Sequence, residues 1–282
     1  MRPSQQGHAP QRHAQQSHAQ RGAKAKARVD TALVEDIPRP VIAVGNEYPP
    51  SHELDWHRHR RGQLLYATRG VVVLSTPDGA WVAPPERAIW TPGGCSHSVR
   101  MVGAVSTRSV LIEPGAYGSP GNATRVIQVS PLLRALLETA CEIEPEYDVA
   151  GRDGMVMGLL LAELSRAPTV PLAVPFPKRP EIARRCQMFL ERPTPHDTID
   201  RWAGELGMGR RAFTRAFRKE TGLSFGLWKR QACLLIALPR LAAGEAVTTI
   251  ALDLDYESPA AFTTMFKRLV GVAPSHYRPS LP

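Results

Sequence analysis

Three histidines stand at spacings that could build a ligand site. His57 and His59 flank Arg58, Gln63 follows four residues after His59, and the segment PGGCSH (92–97) ends in His97. Residues two apart on a strand face the same side, so His57 and His59 can share one ligand. His97, from another strand, can close a set of three nitrogens. Imidazole suits borderline divalent ions, and Gln63 would add a neutral amide oxygen. The candidate cofactor is therefore a divalent transition metal held by His57, His59, Gln63 and His97, with Cys95 as a substitute if its side chain turns inward. The plainer reading is that the histidines are core or pocket residues with no ion. Trp56, Tyr66, Trp81 and Trp90, together with Cys95, are candidates to line an effector pocket. Core packing is the safer reading for at least two of those four rings.

A second constellation is built from arginine. In RRAFTRAFRK (210–219), the face opposite Phe213 and Phe217 displays Arg211, Thr214, Arg215 and Arg218. The guanidinium fork matches guanine O6/N7 or a phosphate, so such a face suits the major groove of DNA. A single basic helix is commonly just a solvated surface. Here the pattern is repeated. Aligning Phe213–Phe217 with Phe262–Phe266 gives an internal offset of 49 residues and matches Gly222 with Gly271. In each copy a short helix and a tight turn lead into a helix whose Phe pair points inward, which is the helix-turn-helix arrangement.

These residues must be positioned by two different kinds of element. From 37 to 128, short apolar or alternating runs such as 41–48, 63–70, 71–75, 88–92, 97–102 and 109–113 are separated by Gly and Pro turns. About eight short strands of this kind predict a small barrel or jelly roll. From 131 the period changes, with Leu133, Leu136, Leu137 and Ala140 on one helical face. A second helix over 153–166 is apolar beyond one stripe, so it either packs on the barrel or pairs with another subunit. Five prolines in 167–180 predict a stiff extended linker. The last hundred residues predict helices near 181–191, 199–206, 210–219, 224–243, 249–254 and 259–269. Asp197 or Thr198, Ser224 and Ser258 serve as caps, with Pro259 in a first turn. Pro239 is expected to kink or end its helix near Leu238.

Charge follows the same division. The net charge of +9 resolves into +6 for 1–28, −4 for 29–177 and +7 for 178–282, so the C-terminal module faces a polyanion. The first 28 residues, with His8, His13 and His18, lack the apolar content to fold and are expected to be disordered. No apolar run is long enough to cross a bilayer, and no apolar segment follows the N-terminal basic residues as a secretory signal requires. Four scattered cysteines exclude a disulfide framework, so a cytoplasmic protein with free thiols is expected.

The C-terminal region closely resembles the AraC/XylS transcriptional regulators over about 180–278, down to the closing Gly-x-x-Pro-x-x-Tyr-Arg pattern, here GVAPSHYR (271–278). The resemblance implies base reading by Arg211, Thr214 and Arg215, and by Ala260, Ala261 and Thr264 in the second copy, with Lys267 left for phosphate. Arg210, Arg218, Lys219, Ser258 and Arg268 complete the candidate interface. Two positions depart from the family: Thr264 is short where a long side chain is usual, and Asp255 replaces a turn glycine. Residues 50–115 resemble the cupin signature and the cupin-like sensor of one AraC-family subgroup, with Gln63 where metal-binding cupins carry Glu.

The expected fold is a two-domain α+β chain. It has an N-terminal cupin-like β-barrel with appended helices and a C-terminal all-α domain with two helix-turn-helix motifs. The expected division is a basic tail (1–36), a sensor barrel (37–128), a helical coupling segment (129–167), a Pro-rich linker (168–180) and a DNA-binding domain (181–282). The expected function is a sequence-specific transcriptional regulator sensing a small molecule or metal. Its partners would be double-stranded promoter DNA, an effector, RNA polymerase if it activates, and a second copy in a homodimer, with no membrane. No catalytic residues are assigned. The competing readings are a nonspecific architectural DNA binder and, less favoured, a cupin enzyme fused to a DNA-binding domain.

Overall fold

The structure is a computed structural model that describes residues 31–116, 121–193 and 197–277. The tail with His8, His13 and His18 lies outside the described residues, as does Arg278. Residues 31–36, grouped with that tail on composition, are among those described. They form a 3-10 turn (Thr31–Val34), and Val34 is buried against Ile42, Val44 and Leu111.

Nine strands follow in one sheet: β1 (Val41–Tyr48), β2 (Glu53–His57), β3 (Gly62–Thr76), β4 (Gly79–Ala83), β5 (Arg87–Thr91), β6 (His97–Ile112), β7 (Arg125–Gln128), β8 (Thr169–Val170) and β9 (Ala173–Pro175). The runs expected as separate strands at 63–70 and 71–75 are one strand, and so are those at 97–102 and 109–113. Glycine bends these strands rather than ending them. The β3–β6 register shifts around Arg69, and Gly70 sits at φ 79°. A Cβ there would stand 2.6 Å from Val105 and 2.8 Å from the Ala104 carbonyl, so only glycine lets the two strands stay paired through the bend.

Because β3 and β6 are long, each borders two partners in succession. β6 pairs with β2 and then β1 on its outer side, while β3 pairs with β5 and then β4. The path runs β1-β6-β3-β5-β7-β8, with β9 added beyond β4. No pairing among the described residues joins the first strand to the last. The expectation of a cupin-like barrel is therefore corrected: the sheet is open. Helices bury its apolar surface where a barrel would use a facing wall of strands. Val41, Leu64, Tyr66, Trp90 and Val110 are covered by α1 (Pro131–Ala140) and α2 (Arg152–Arg166) through Leu133, Leu137, Leu160 and Leu164. The apolar surplus of α2 is divided. Met157, Leu160, Leu161 and Leu164 are buried, whereas Met155 and Leu159 face outward.

The proline-rich stretch is extended and docks on the sheet, where β8 pairs with β7 and β9 with β4. Among the described residues six α-helices follow, α3 (Pro180–Glu191), α4 (Ile199–Glu205), α5 (Arg210–Thr221), α6 (Phe225–Ala242), α7 (Val247–Asp253) and α8 (Pro259–Val270), and then a 3-10 turn (Pro274–Tyr277). Thr198, Ser224 and Ser258 accept from backbone N–H groups as N-caps of α4, α6 and α8. Pro239 does not end α6, which continues to Ala242. The last turn closes with Ala243 N–H donating to the Pro239 carbonyl, and Arg240 pairs with both Glu245 and Asp253 just beyond it. Tertiary packing thus overrides the local cost of proline.

α6 touches β3, β4, β6 and β9, so one apolar cluster runs from the sheet into the helices. Its aromatic centre is Phe189, Trp202, Phe213, Phe217, Phe225 and Trp228, with neighbouring ring centroids 4.9–6.4 Å apart. The Trp228 indole donates to the Pro175 carbonyl of β9 at 2.8 Å, tying helix to sheet.

Candidate nucleic-acid interface and histidine-lined cavity

The two helix-turn-helix units are built alike. In the first, Trp202 of α4 packs on Phe213 of α5. In the second, Ile250 of α7 and Phe262 of α8 are fully buried in the same way. Tyr277, within the closing motif, stacks edge-on against Phe266. The turns coincide in detail at an offset of 48: Met208 N–H donates to the Ala203 carbonyl, and Tyr256 N–H to that of Ala251. The recognition helices coincide at 49, so the second turn carries one extra residue before its helix. Asp255 occupies the position of Gly207, both at φ 63°, a left-handed conformation that aspartate tolerates better than branched residues do.

On α5, Phe213, Ala216 and Phe217 are buried, while Arg210, Arg211, Thr214, Arg215, Arg218 and Lys219 are exposed. Arg210 is drawn to Asp200 of α4 at 2.5 Å, and the Thr214 hydroxyl donates to the Arg210 carbonyl. On α8, Ala260, Ala261, Thr264, Lys267 and Arg268 are exposed. Ser258 is half-buried, its hydroxyl accepting from Ala261 N–H as the cap. The first recognition face is long-chained and cationic, and the second is small at its start and basic at its end.

In the sheet, β2 and the turn after it bring His57 and His59 beside His97 at the start of β6. Ring centroids lie 4.4 Å (His57–His97), 5.1 Å (His59–His97) and 6.0 Å (His57–His59) apart. One ligand nitrogen from each lies within 4.8 Å of the others, so the cluster can hold a single metal ion. Each Nδ1 faces a backbone carbonyl: His57 that of Asp55 at 2.7 Å, His59 that of Arg61 at 2.6 Å, His97 that of Cys95 at 2.9 Å. Such bonds place the proton on Nδ1 and the lone pair on Nε2, as in metal-ligating histidines. His97 is fully buried, its Nε2 has no hydrogen-bond partner, and burial lowers its pKa to about 4. An orphaned neutral nitrogen of this kind fits a metal ligand. Gln63 joins the group, its Oε1 3.1 Å from His59 Nε2 and its Nε2 donating to Ser109 Oγ.

The cluster borders a cavity of about 500 Å³, lined on one side by His57, His59 and Gln63 and elsewhere by Trp56, Arg58 and Leu65. Of the rings proposed for an effector pocket, only Trp56 lines it. Tyr66 and Trp90 belong to the core under α1 and α2, and Trp81 to the core shared with α6. Cys95 does not turn toward the histidines; its thiol donates to the Ser96 carbonyl and approaches Thr124. Asn46, Tyr48, His52 and Ser109 also line the cavity and were missed in the sequence. The signal for Asn46 and Ser109 was weak, because they sit within strands so uniformly buried that alternation does not reveal which face is which.

Gly93 makes the histidine site possible. A Cβ at Gly93 would lie 2.1 Å from the Arg60 carbonyl, and Gly94 N–H donates to the His59 carbonyl at 2.8 Å. The segment leading to His97 therefore rests directly on the backbone that follows His59. Gly93→Ala is expected to force the two apart and cost ~1–3 kcal/mol, the usual range for overpacking. Chemical denaturation checks this, and a change below about 0.5 kcal/mol, the scatter of ordinary surface substitutions, would contradict it.

A cavity-bearing sheet joined to paired helix-turn-helix units defines the class of sequence-specific DNA-binding regulators. The family models and the sequence relatives agree with that class. Residues 39–164 match the AraC-like ligand binding domain, and residues 202–280 match a helix-turn-helix domain family. The chain is 33% identical over 221 residues to the HTH-type transcriptional regulator NimR of Escherichia coli, covering 78% of this chain and 81% of that one. It is 28% identical over 224 residues to the thermoregulatory protein LcrF of Yersinia pestis, covering 77% and 80%. Among solved structures, ToxT of Vibrio cholerae aligns at 12% identity and a TM-score of 0.36 over 84% of this chain and 96% of that one. The chain belongs to the AraC/XylS family of transcriptional regulators. Its relatives are regulators rather than enzymes, and among the described residues no helix is long and apolar enough to cross a membrane.

Proposed function

We propose that the protein controls transcription by reading promoter DNA with α5 and α8 while its sheet domain binds an effector. The observation that carries this reading is the division of α5, with two buried phenylalanines on one side and four exposed arginines on the other. Arg211 and Arg215 contact base edges, with Thr214 between them. Arg210, Arg218 and Lys219 hold phosphates. On α8, Ala260, Ala261 and Thr264 offer methyl contacts, and Lys267 and Arg268 flank them with charge, while Ser258 sets the start of the helix. Specificity then resides mainly in the first unit, because α8 places no long side chain on its reading face.

The division proposed is a sensor over 37–128 with its coupling helices over 129–167, and a reader over 181–282 joined to it through 168–180. A second copy pairs through the outward face of α1 and α2, where Leu132, Met155 and Leu159 are exposed. The effector acts by favouring one arrangement of sensor and reader, and an activating form would also engage RNA polymerase.

The test is competition binding to DNA upstream of the gene against scrambled DNA at fixed salt, since phosphate attraction alone mimics affinity when salt is low. A preference of about 1000-fold or more is expected. Arg215→Ala should weaken specific binding by about 5- to 150-fold, the equivalent of ~1–3 kcal/mol, and leave scrambled-DNA binding nearly unchanged. Equal loss on both DNAs would reassign Arg215 to phosphate, and equal affinity of the native protein for both would favour an architectural role.

A further inference from the structure

The histidine donor set itself contains no carboxylate. With protons on Nδ1, His59 Nε2 and Gln63 Oε1 are two acceptors facing each other at 3.1 Å, and His97 Nε2 is a third acceptor without a donor. A cation satisfies all of them. Imidazole nitrogens with one amide oxygen suit a first-row divalent transition ion rather than magnesium or calcium. Bonds of ~2.1 Å would draw the rings somewhat closer than they stand.

That donor set carries no charge. The acids on the cavity wall keep their charge but are not among the ligating groups. Glu35 is engaged with the backbone N–H groups of Arg60 and Arg61, while Glu53 and Asp55 are exposed. Arg58, on the same wall, adds a further positive charge. With no carboxylate among its ligands, an ion there keeps its two charges unmatched in its own coordination shell, which favours an anion as a further ligand.

We propose that the cavity binds a small organic anion, such as a carboxylate, through a divalent transition ion held by Nε2 of His57, His59 and His97 and by Gln63 Oε1. The anion supplies the charge that the ligating groups lack, and Trp56, Leu54 and Leu65 receive its apolar body. This rests on reading the sheet domain as the effector-binding one, but the measurement that tests it involves no DNA.

Full-length protein stripped with a chelator would be titrated with Co2+ and followed by its visible absorption, then with azide and acetate as probe anions at constant ionic strength. One Co2+ per chain is expected, with a saturable spectral change on adding either anion. Gln63→Glu places a carboxylate in the set, so it should bind Co2+ at least tenfold more tightly and azide at least tenfold more weakly. His97→Ala should lose Co2+ binding at least tenfold.

No Co2+ uptake by the native protein would overturn the proposal. Uptake with no response to anions, or equal azide affinity in Gln63→Glu, would also overturn it. The native titration decides the matter even if the variants fail to fold. Operator binding measured in parallel keeps the regulator reading separate, since its failure would leave the metal and anion results standing.

Discussion

Trp228→Ala is expected to destabilise the protein by ~3–5 kcal/mol, the range for removing a large buried aromatic. Trp228 is fully buried, with Phe189, Trp202 and Phe217 at 5.6–5.8 Å and its indole N–H on the Pro175 carbonyl. The same side chain therefore supports the core of the first helix-turn-helix unit and fastens that unit to β9. Domains typically have ~5–15 kcal/mol of stability in total, so the loss is a large fraction. Because the sheet and helix cores form one continuous cluster, the native chain should unfold in a single transition and the variant in two. Trp228→Phe keeps most of the packing but strands the carbonyl, at ~1–3 kcal/mol. Urea denaturation followed by fluorescence and circular dichroism checks both, and a loss below 1 kcal/mol in Trp228→Ala would refute the argument.

Arg61→Met is the second large effect expected, at ~3–5 kcal/mol, as when one partner of a buried charged network is removed. Only 1% of Arg61 is exposed. Its guanidinium donates to the carbonyls of Glu35, Ile37 and Arg39 at 2.6–2.9 Å, and it pairs with Glu113 at 3.1 Å. Burial lowers its pKa against the pull of Glu113, so the site holds the charge at a cost that these partners offset. Arg61 thus clamps 35–39 beside the cavity that Glu35 helps to line. Arg61→Lys should recover only part of the loss, because one ammonium cannot replace the planar fork across three carbonyls. Limited proteolysis separates detachment of this segment from global unfolding. Unchanged cleavage near residues 31–40, together with unchanged stability, would sink the prediction.

Much of the reader was legible in the sequence because its signals are local. The Phe pairs at i and i+4, the Ser and Thr caps and the glycines ending α5 and α8 each specify a helix within a few residues. The structure places all of them as read. The misreadings lie where local signals and packing diverge. Pro239 is expected to kink or end α6 near Leu238, yet the helix is held on both sides by buried neighbours and continues to Ala242. Gly70 read as a break between strands, yet it permits a bend within one.

The sensor shows the same divide at larger scale. The strand-rich character of 37–128, the histidine spacing and the switch to helices at 131 follow from composition and periodicity, which depend only on neighbours along the chain. Whether the sheet closes was not, because closure depends on which element covers an apolar face. Here α1, α2 and α6 take that place, leaving an open sheet where the strand runs suggested a barrel. The histidines were visible as types and spacing, and so were the tryptophans. Only the fold decided that the three imidazoles converge on one cavity while Trp81 and Trp90 fall into separate cores. In strands buried on both faces alternation disappears, and the direction of a side chain is then settled by tertiary packing alone.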